Sequence, residues 1–199
     1  MAQEAETQAR EALRKGRGEE APTAGRMWHG WWMTSTTPRV LFIHGLESNP
    51  QGTKAVFLAR HFDALTPAMN TGDFPGALAT QREAIASFRP DLVVGSSFGG
   101  ALAVALLEQG DWRGPTVLLA PAAAKVGLSN RLPEGVAVTI VHGVRDAIIP
   151  VEDSKALAAT GTPALVRYLE VDDEHRLQSL VDSGQLAELV RETLARAGA

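Results

Sequence analysis

Leu92-Val93-Val94-Gly95-Ser96-Ser97-Phe98-Gly99-Gly100-Ala101-Leu102-Ala103-Val104-Ala105-Leu106-Leu107 is the stretch on which the reading of this 199-residue chain turns. It opens on a short apolar run suited to a buried strand, passes through glycines and serines, and closes on an apolar run suited to a buried helix. Inside it, Gly95-Ser96-Ser97-Phe98-Gly99 fits the pattern G-x-S-x-G. Between a strand and a helix, that pattern puts its central residue, Ser97, on a sharp turn with the hydroxyl presented outward. Gly95 and Gly99 lack side chains where the strand and helix backbones crowd the turn. The helix that follows points its first amides at the same place, which favours a developing negative charge. Ser96 is the competing register. The spacing matches neither a P-loop nor a dinucleotide fingerprint.

Outward from this turn, short apolar runs alternate with helical segments. The expected strands are Val40–Ile43, Leu92–Val94, Thr116–Leu119, Val136–Val141 and Ala164–Leu169, with a weaker one near Pro67–Asn70. Most are continuous rather than alternating, as strands buried on both faces of a parallel sheet are. The expected helices run from about Thr53 to Leu65, Phe74 to Phe88, Gly99 to Gln109, Val151 to Ala159 and Gly184 to Ala197. The alternation predicts a three-layer α/β/α sandwich on a mostly parallel sheet of about six strands, with chemistry in the loops beyond the strands' carboxyl ends.

Residues 1–37 read as an N-terminal extension and 38–199 as the folded domain. Ala2–Ala21 is rich in Ala, Glu, Gln and Arg without an apolar face, which suits a solvated helix or a disordered tail. Met27-Trp28-His29-Gly30-Trp31-Trp32-Met33 holds three of the four tryptophans and reads as a strap packed on the body.

Composition narrows the function. A formal net charge of -4 removes the basic footprint expected of a nucleic-acid binder. With no cysteine, disulfide, thiolate and cysteine-zinc chemistry are excluded. The longest good apolar candidate, Ala101–Leu107, is far too short to span a bilayer, and the charged N-terminus has no apolar signal region. The expectation is a soluble cytoplasmic protein.

A serine hydroxyl needs a general base within hydrogen-bond reach. Of five histidines, His175 lies in the last strand-to-helix loop, where it can swing toward Ser97. His44 and His142 each end a strand ahead of a glycine, His61 falls on a helix surface, and His29 lies in the extension. A carboxylate must then orient the imidazole and stabilise its cation. Asp146, in the loop after the fifth strand, is the first choice. Asp172 and Asp173 are the rivals beside His175, too close in sequence to reach the far ring nitrogen. The loop His44-Gly45-Leu46-Glu47-Ser48-Asn49-Pro50 can offer a backbone N–H, assigned to Leu46, opposite the N–H of Phe98. Two such donors make an oxyanion hole.

Taken together these residues resemble an α/β-hydrolase. They are most similar to the small lidless bacterial esterases of the YqiA type, relatives of retinoblastoma-binding-protein-like serine hydrolases. The resemblance rests on His44-Gly45-Leu46-Glu47-Ser48-Asn49-Pro50, Gly95-Ser96-Ser97-Phe98-Gly99-Gly100, His142-Gly143-x-x-Asp146-x-x-Ile149-Pro150 and His175. It implies catalytic Ser97, Asp146 and His175 in that chain order, an acyl-enzyme, and small carboxylic esters or thioesters as substrates. No metal or organic cofactor is implied. Two departures stand out: Asp173 and Glu174 precede His175 where many relatives have glycines, and Pro121–Gly135 is too short for a folded cap. Two other classes stay open on sequence alone: a non-catalytic binding protein on the same fold, and an acyltransferase or peptidase with the same three residues.

Overall fold

A computed structural model describes residues 37–198. Residues 1–36, with the expected tail and the tryptophan-rich strap, lie outside the described residues. The elements, in chain order, are β1 (Arg39–Ile43), α1 (Thr53–His61), β2 (Asp63–Leu65), α2 (Phe74–Phe88), β3 (Leu92–Ser96) and α3 (Phe98–Gln109), followed by β4 (Thr116–Leu119). After a 3₁₀ turn at Ala124–Val126 come β5 (Val138–Gly143), α4 (Val151–Ala158), β6 (Val166–Val171), α5 (Gln178–Asp182) and α6 (Gln185–Ala197). The six strands form one sheet in the order β2-β1-β3-β4-β5-β6, and every pairing is parallel.

The continuous apolar runs are explained by burial on both sides. Leu41 and Ile43 of β1 face a cluster with Leu78 of α2, Leu102 and Leu106 of α3 and Leu157 of α4. Val40 and Phe42 face the opposite cluster, with Leu58 of α1, Leu180 of α5 and Leu186 and Val190 of α6. This period-2 division is what a strand between two helical layers requires. Each fully buried Leu or Val adds about 1.5–3 kcal/mol. Helix α3 is apolar all round, and Phe98 through Leu107 are buried without a break, as expected of the innermost helix. Helix α2 starts where Asp73 accepts a hydrogen bond from the Gly76 amide (3.0 Å).

Several expected boundaries move. The helix read as Thr53–Leu65 stops at His61, because Phe62 is extended (φ -141°, ψ 164°) and the chain enters β2. The edge strand is therefore Asp63–Leu65, paired Arg39 to Asp63 through Leu41 to Leu65, and Pro67–Asn70 is not a strand. Phe62 and Leu65 continue the apolar spacing of the helix, which masks the break. Strand β5 starts at Val138 rather than Val136, although Val136 and Ala137 are buried as its lead-in. Strand β6 begins at Val166 rather than Ala164, because the Leu165 and Val166 amides both donate to Thr162 O and close a turn there (2.9 and 3.0 Å). Helix α5, five residues long, is an addition to the expected set.

The strand order fixes where chemistry can sit. From β1 the chain goes to one side, to β2, and from β3 it goes to the other. The carboxyl ends of the adjacent strands β1 and β3 thus form a crevice at the switch point, where open parallel sheets bind ligands.

Candidate active site

Ser97 follows the last residue of β3 and caps α3 with φ 55° and ψ -115°. Positive φ at a non-glycine residue costs about 1–3 kcal/mol and persists only when surroundings enforce it. Here the Ser97 N–H donates to Leu119 O (2.9 Å), and its carbonyl accepts from the Ala101 and Ala122 amides (both 3.0 Å). The flanking glycines are sterically required. A Cβ on Gly95 would lie 2.6 Å from Gly99 O, and one on Gly99 would overlap the Ile43 carbonyl.

His175 stands in the loop between β6 and α5. Its Nε2 lies 2.8 Å from Ser97 Oγ, and its Nδ1 lies 2.6 Å from Asp146 Oδ2. A carboxylate only accepts, so Nδ1 carries the proton and Nε2 accepts from the serine hydroxyl. Residues 97, 146 and 175 are thus joined in one row of hydrogen bonds. The register between the two serines resolves geometrically: the hydroxyl that meets His175 is that of Ser97.

Asp146 has no exposed side-chain surface. Its Oδ1 accepts from the amides of Ile148 (2.8 Å) and Ile149 (2.9 Å). Burial alone would raise this carboxyl. The Ile149 amide, the His175 ring and the Ile148 amide outweigh it and hold the group below the ordinary carboxylate value.

The rival carboxylates do other things. Asp172 is exposed and pairs with Arg145. Asp173 accepts from the Glu174 amide (2.7 Å) and the Ser179 amide (2.8 Å), bracing the loop that carries His175. The Asp173 carboxylate thus ties down amides that a freer loop would leave to water.

His142 is a residue to which the sequence gives no role beyond ending a strand. Its ring is fully buried. Nδ1 lies 2.7 Å from Ser154 Oγ, while Nε2 faces Ile149 O at 3.0 Å and Asp146 Oδ2 at 3.1 Å. Two acceptors around Nε2 mean that this nitrogen carries the hydrogen, and Nδ1 accepts from the serine. His142 thus ties Ser154 to the Ile149 carbonyl, with Asp146 Oδ2 close beside it, and braces the loop that carries Asp146. The four-residue spacing of His142 and Asp146 is the only sequence trace of it.

The β1 loop completes the crevice. His44 is buried and its Nδ1 donates to Gly45 O (2.9 Å), which also accepts from the Ser48 amide (3.2 Å). The carbonyl and amide of one peptide point in opposite directions, so pinning Gly45 O away fixes the Leu46 N–H. Among the described residues that N–H has no acceptor. The Phe98 amide, first in α3, likewise has no intrahelical partner. A pocket of about 280 Å³ lies here, lined by Leu46, Ser97, Ile148 and His175 among others. Leu46 and Ile148 are half exposed or more, at 58% and 50%. His61 lies on the surface of α1, with Nδ1 2.9 Å from Phe57 O. Between β4 and β5 there is only the short 3₁₀ turn and no folded cap. Among the described residues no three His, Asp or Glu side chains group to hold a metal ion, and no helix is long and apolar enough to cross a membrane.

An all-parallel sheet wrapped by helices, with a serine on the turn after β3 at the switch point, defines a member of the α/β-hydrolase superfamily. Within it, residues 39–136 match the model of UPF0227, an uncharacterised protein family. A protein of Xanthomonas campestris pv. campestris assigned to the α/β hydrolase superfamily is 26% identical and superposes with a TM-score of 0.64, over 79% of this chain and 99% of its own. A lidless α/β serine hydrolase from Xanthomonas campestris is 15% identical, with a TM-score of 0.60 over 81% and 83% of the two chains. Mouse α/β hydrolase domain-containing protein 10 is 18% identical, with a TM-score of 0.62 over 81% and 91%. The last two share the fold alone. No curated protein matches the chain in sequence.

Proposed function

We propose that this protein is a serine hydrolase that cleaves small carboxylic esters or thioesters. The observation that carries the reading is the row of short hydrogen bonds from Asp146 through His175 to Ser97, at 2.6 and 2.8 Å. Ser97 Oγ attacks the acyl carbonyl while its proton passes to His175 Nε2. Asp146 holds the ring in the required tautomer and stabilises the imidazolium. The Leu46 and Phe98 amides receive the tetrahedral oxyanion. As the intermediate collapses, His175 protonates the departing alcohol or thiol, leaving an acyl ester on Ser97. Water, giving a proton to His175, attacks that ester; collapse releases the carboxylic acid and restores the serine hydroxyl.

The open rim at Leu46 and Ile148 and the short β4–β5 connection suit small or exposed esters. The proposed setting is the cytoplasm, with residues 1–37 as an extension of the hydrolase domain. Fluorophosphonate labelling of wild type, Ser96→Ala and Ser97→Ala, with heat-denatured protein as control, tests the reading. Labelling is expected in wild type and Ser96→Ala and is lost in Ser97→Ala. Folded wild type that takes no label would overturn it.

A further inference from the structure

The pocket before Ser97 is chemically lopsided. Leu46 and Ile148 line it together with two cations, Lys54 from the start of α1 and Arg176 from the loop after His175. In a chain of net charge -4, two of the three Lys, Arg, Asp and Glu side chains lining the pocket are cationic. The only carboxylate lining the pocket among the described residues, Glu47, pairs at 3.3 Å with Arg176 where both side chains are largely exposed, so the pair is strongly screened.

Lys54 is the unexplained group. It occupies the second position of α1, a helix with no acidic residue in its first turn and no side-chain cap. A cation is unfavourable at this positive end of the helix dipole. Burial pushes the Lys54 ammonium below its ordinary pKa; Asp173 opposes that shift and Arg176 adds to it. Yet among the described residues no carboxylate lies within ion-pair distance of Lys54, whose ammonium donates to the Arg176 carbonyl. The Asp173 carboxylate is taken up by the Glu174 and Ser179 amides. Among the described residues, then, this half-buried cation at the wrong end of a helix dipole, beside a second cation and next to the nucleophile, has no carboxylate in contact, and Asp173, held by two amides, acts on it only from a distance.

We propose that the substrate supplies a counter-ion: the pocket takes an ester that also carries an anionic group, seated against Lys54 and Arg176. This rests on the serine-hydrolase reading and narrows its substrate class. With a pocket of about 280 Å³, the anion belongs within a few bonds of the scissile carbonyl. A half-ester of a short dicarboxylic acid has this form, and so does a short acyl ester of a carboxylated or phosphorylated alcohol.

The test compares matched esters, with rates normalised to spontaneous hydrolysis. p-Nitrophenyl hydrogen glutarate against its methyl ester places the charge on the acyl side. 4-Acetoxybenzoate against its methyl ester places it on the alcohol side. In at least one pair the anionic ester is expected to have a kcat/KM about tenfold higher or more, as one charge-assisted hydrogen bond supplies. Lys54→Met should bring that ratio to about one, and Lys54→Arg should retain it while controlling for folding. A wild-type ratio near one in both pairs, or a ratio that survives Lys54→Met, overturns the proposal.

Binding is read separately by the thermal stability of Ser97→Ala titrated with glutarate and with inorganic phosphate, which tells a carboxylate from a phosphate source. Stabilisation by either that is lost when Lys54→Met is added supports the site, and absence of any stabilisation counts against it. If no ester is turned over and no probe labels Ser97, the hydrolase reading fails, and this titration alone decides the anion site.

Discussion

Two His-Gly pairs mark strand ends on this sheet, His44-Gly45 just after β1 and His142-Gly143 closing β5, and they are built in opposite ways. The His44 ring bonds only to the next residue, Gly45 O, and its buried Nε2 has no partner among the described residues. The His142 ring uses both nitrogens, bonding Ser154 and the Ile149 carbonyl, with Asp146 Oδ2 at 3.1 Å. The first sets the direction of a single peptide; the second cross-links the loop that holds an acid. The contrast tracks the proposed tasks. An oxyanion donor needs an amide left free for a ligand. A carboxylate that orients a base must be immobile before the ligand arrives.

The comparison breaks most severely at its acid. Asp146→Asn keeps the shape but removes the acceptor that selects the His175 tautomer, and kcat is expected to fall by about 10⁴-fold. The same variant carries a stability signature. Because the Asp146 carboxyl is held below its ordinary value, its contribution is fully present above that value and disappears as pH falls through the native pKa. Melting temperatures between about pH 2 and 5 should therefore drop less steeply in Asp146→Asn than in wild type. An equal slope would deny the depressed pKa.

Next comes a matched pair of ring-preserving changes. His142→Phe strands Ser154 and Ile149 O in a dry interior, and a loss of about 2–4 kcal/mol in urea denaturation is expected. His44→Phe removes one local bond from a ring already half unpartnered, and about 1 kcal/mol or less is expected. Equal losses would erase the distinction drawn between the two pairs. The smallest effect is at the rim. Glu47→Gln breaks an exposed ion pair with Arg176, and unfolding free energy should move by no more than about 0.5 kcal/mol.

How legible all this is from the chain depends on the range of the interactions involved. The central strands are legible because double-sided burial forces continuous apolar runs, as in Val40–Ile43 and Thr116–Leu119. Strand β2 is not, since three edge residues carry too little pattern and Phe62 and Leu65 extend the helical spacing of α1. Ser97, Asp146 and His175 can be read because each follows a strand at the same end of a parallel sheet. The bonds of His142 to Ser154 and Ile149 cannot, since they depend on how a loop folds back on itself. Nor does any residue type announce that Asp173 braces a backbone rather than orienting a ring.

The left-handed backbone at Ser97 has a consequence for how such a protein can change over time. Glycine adopts that conformation at no steric cost. Ser97→Gly would therefore relieve strain while deleting the proposed nucleophile, so that stability and reactivity are opposed at a single codon. Selection for a sturdier fold alone would drive the lineage toward an inert scaffold.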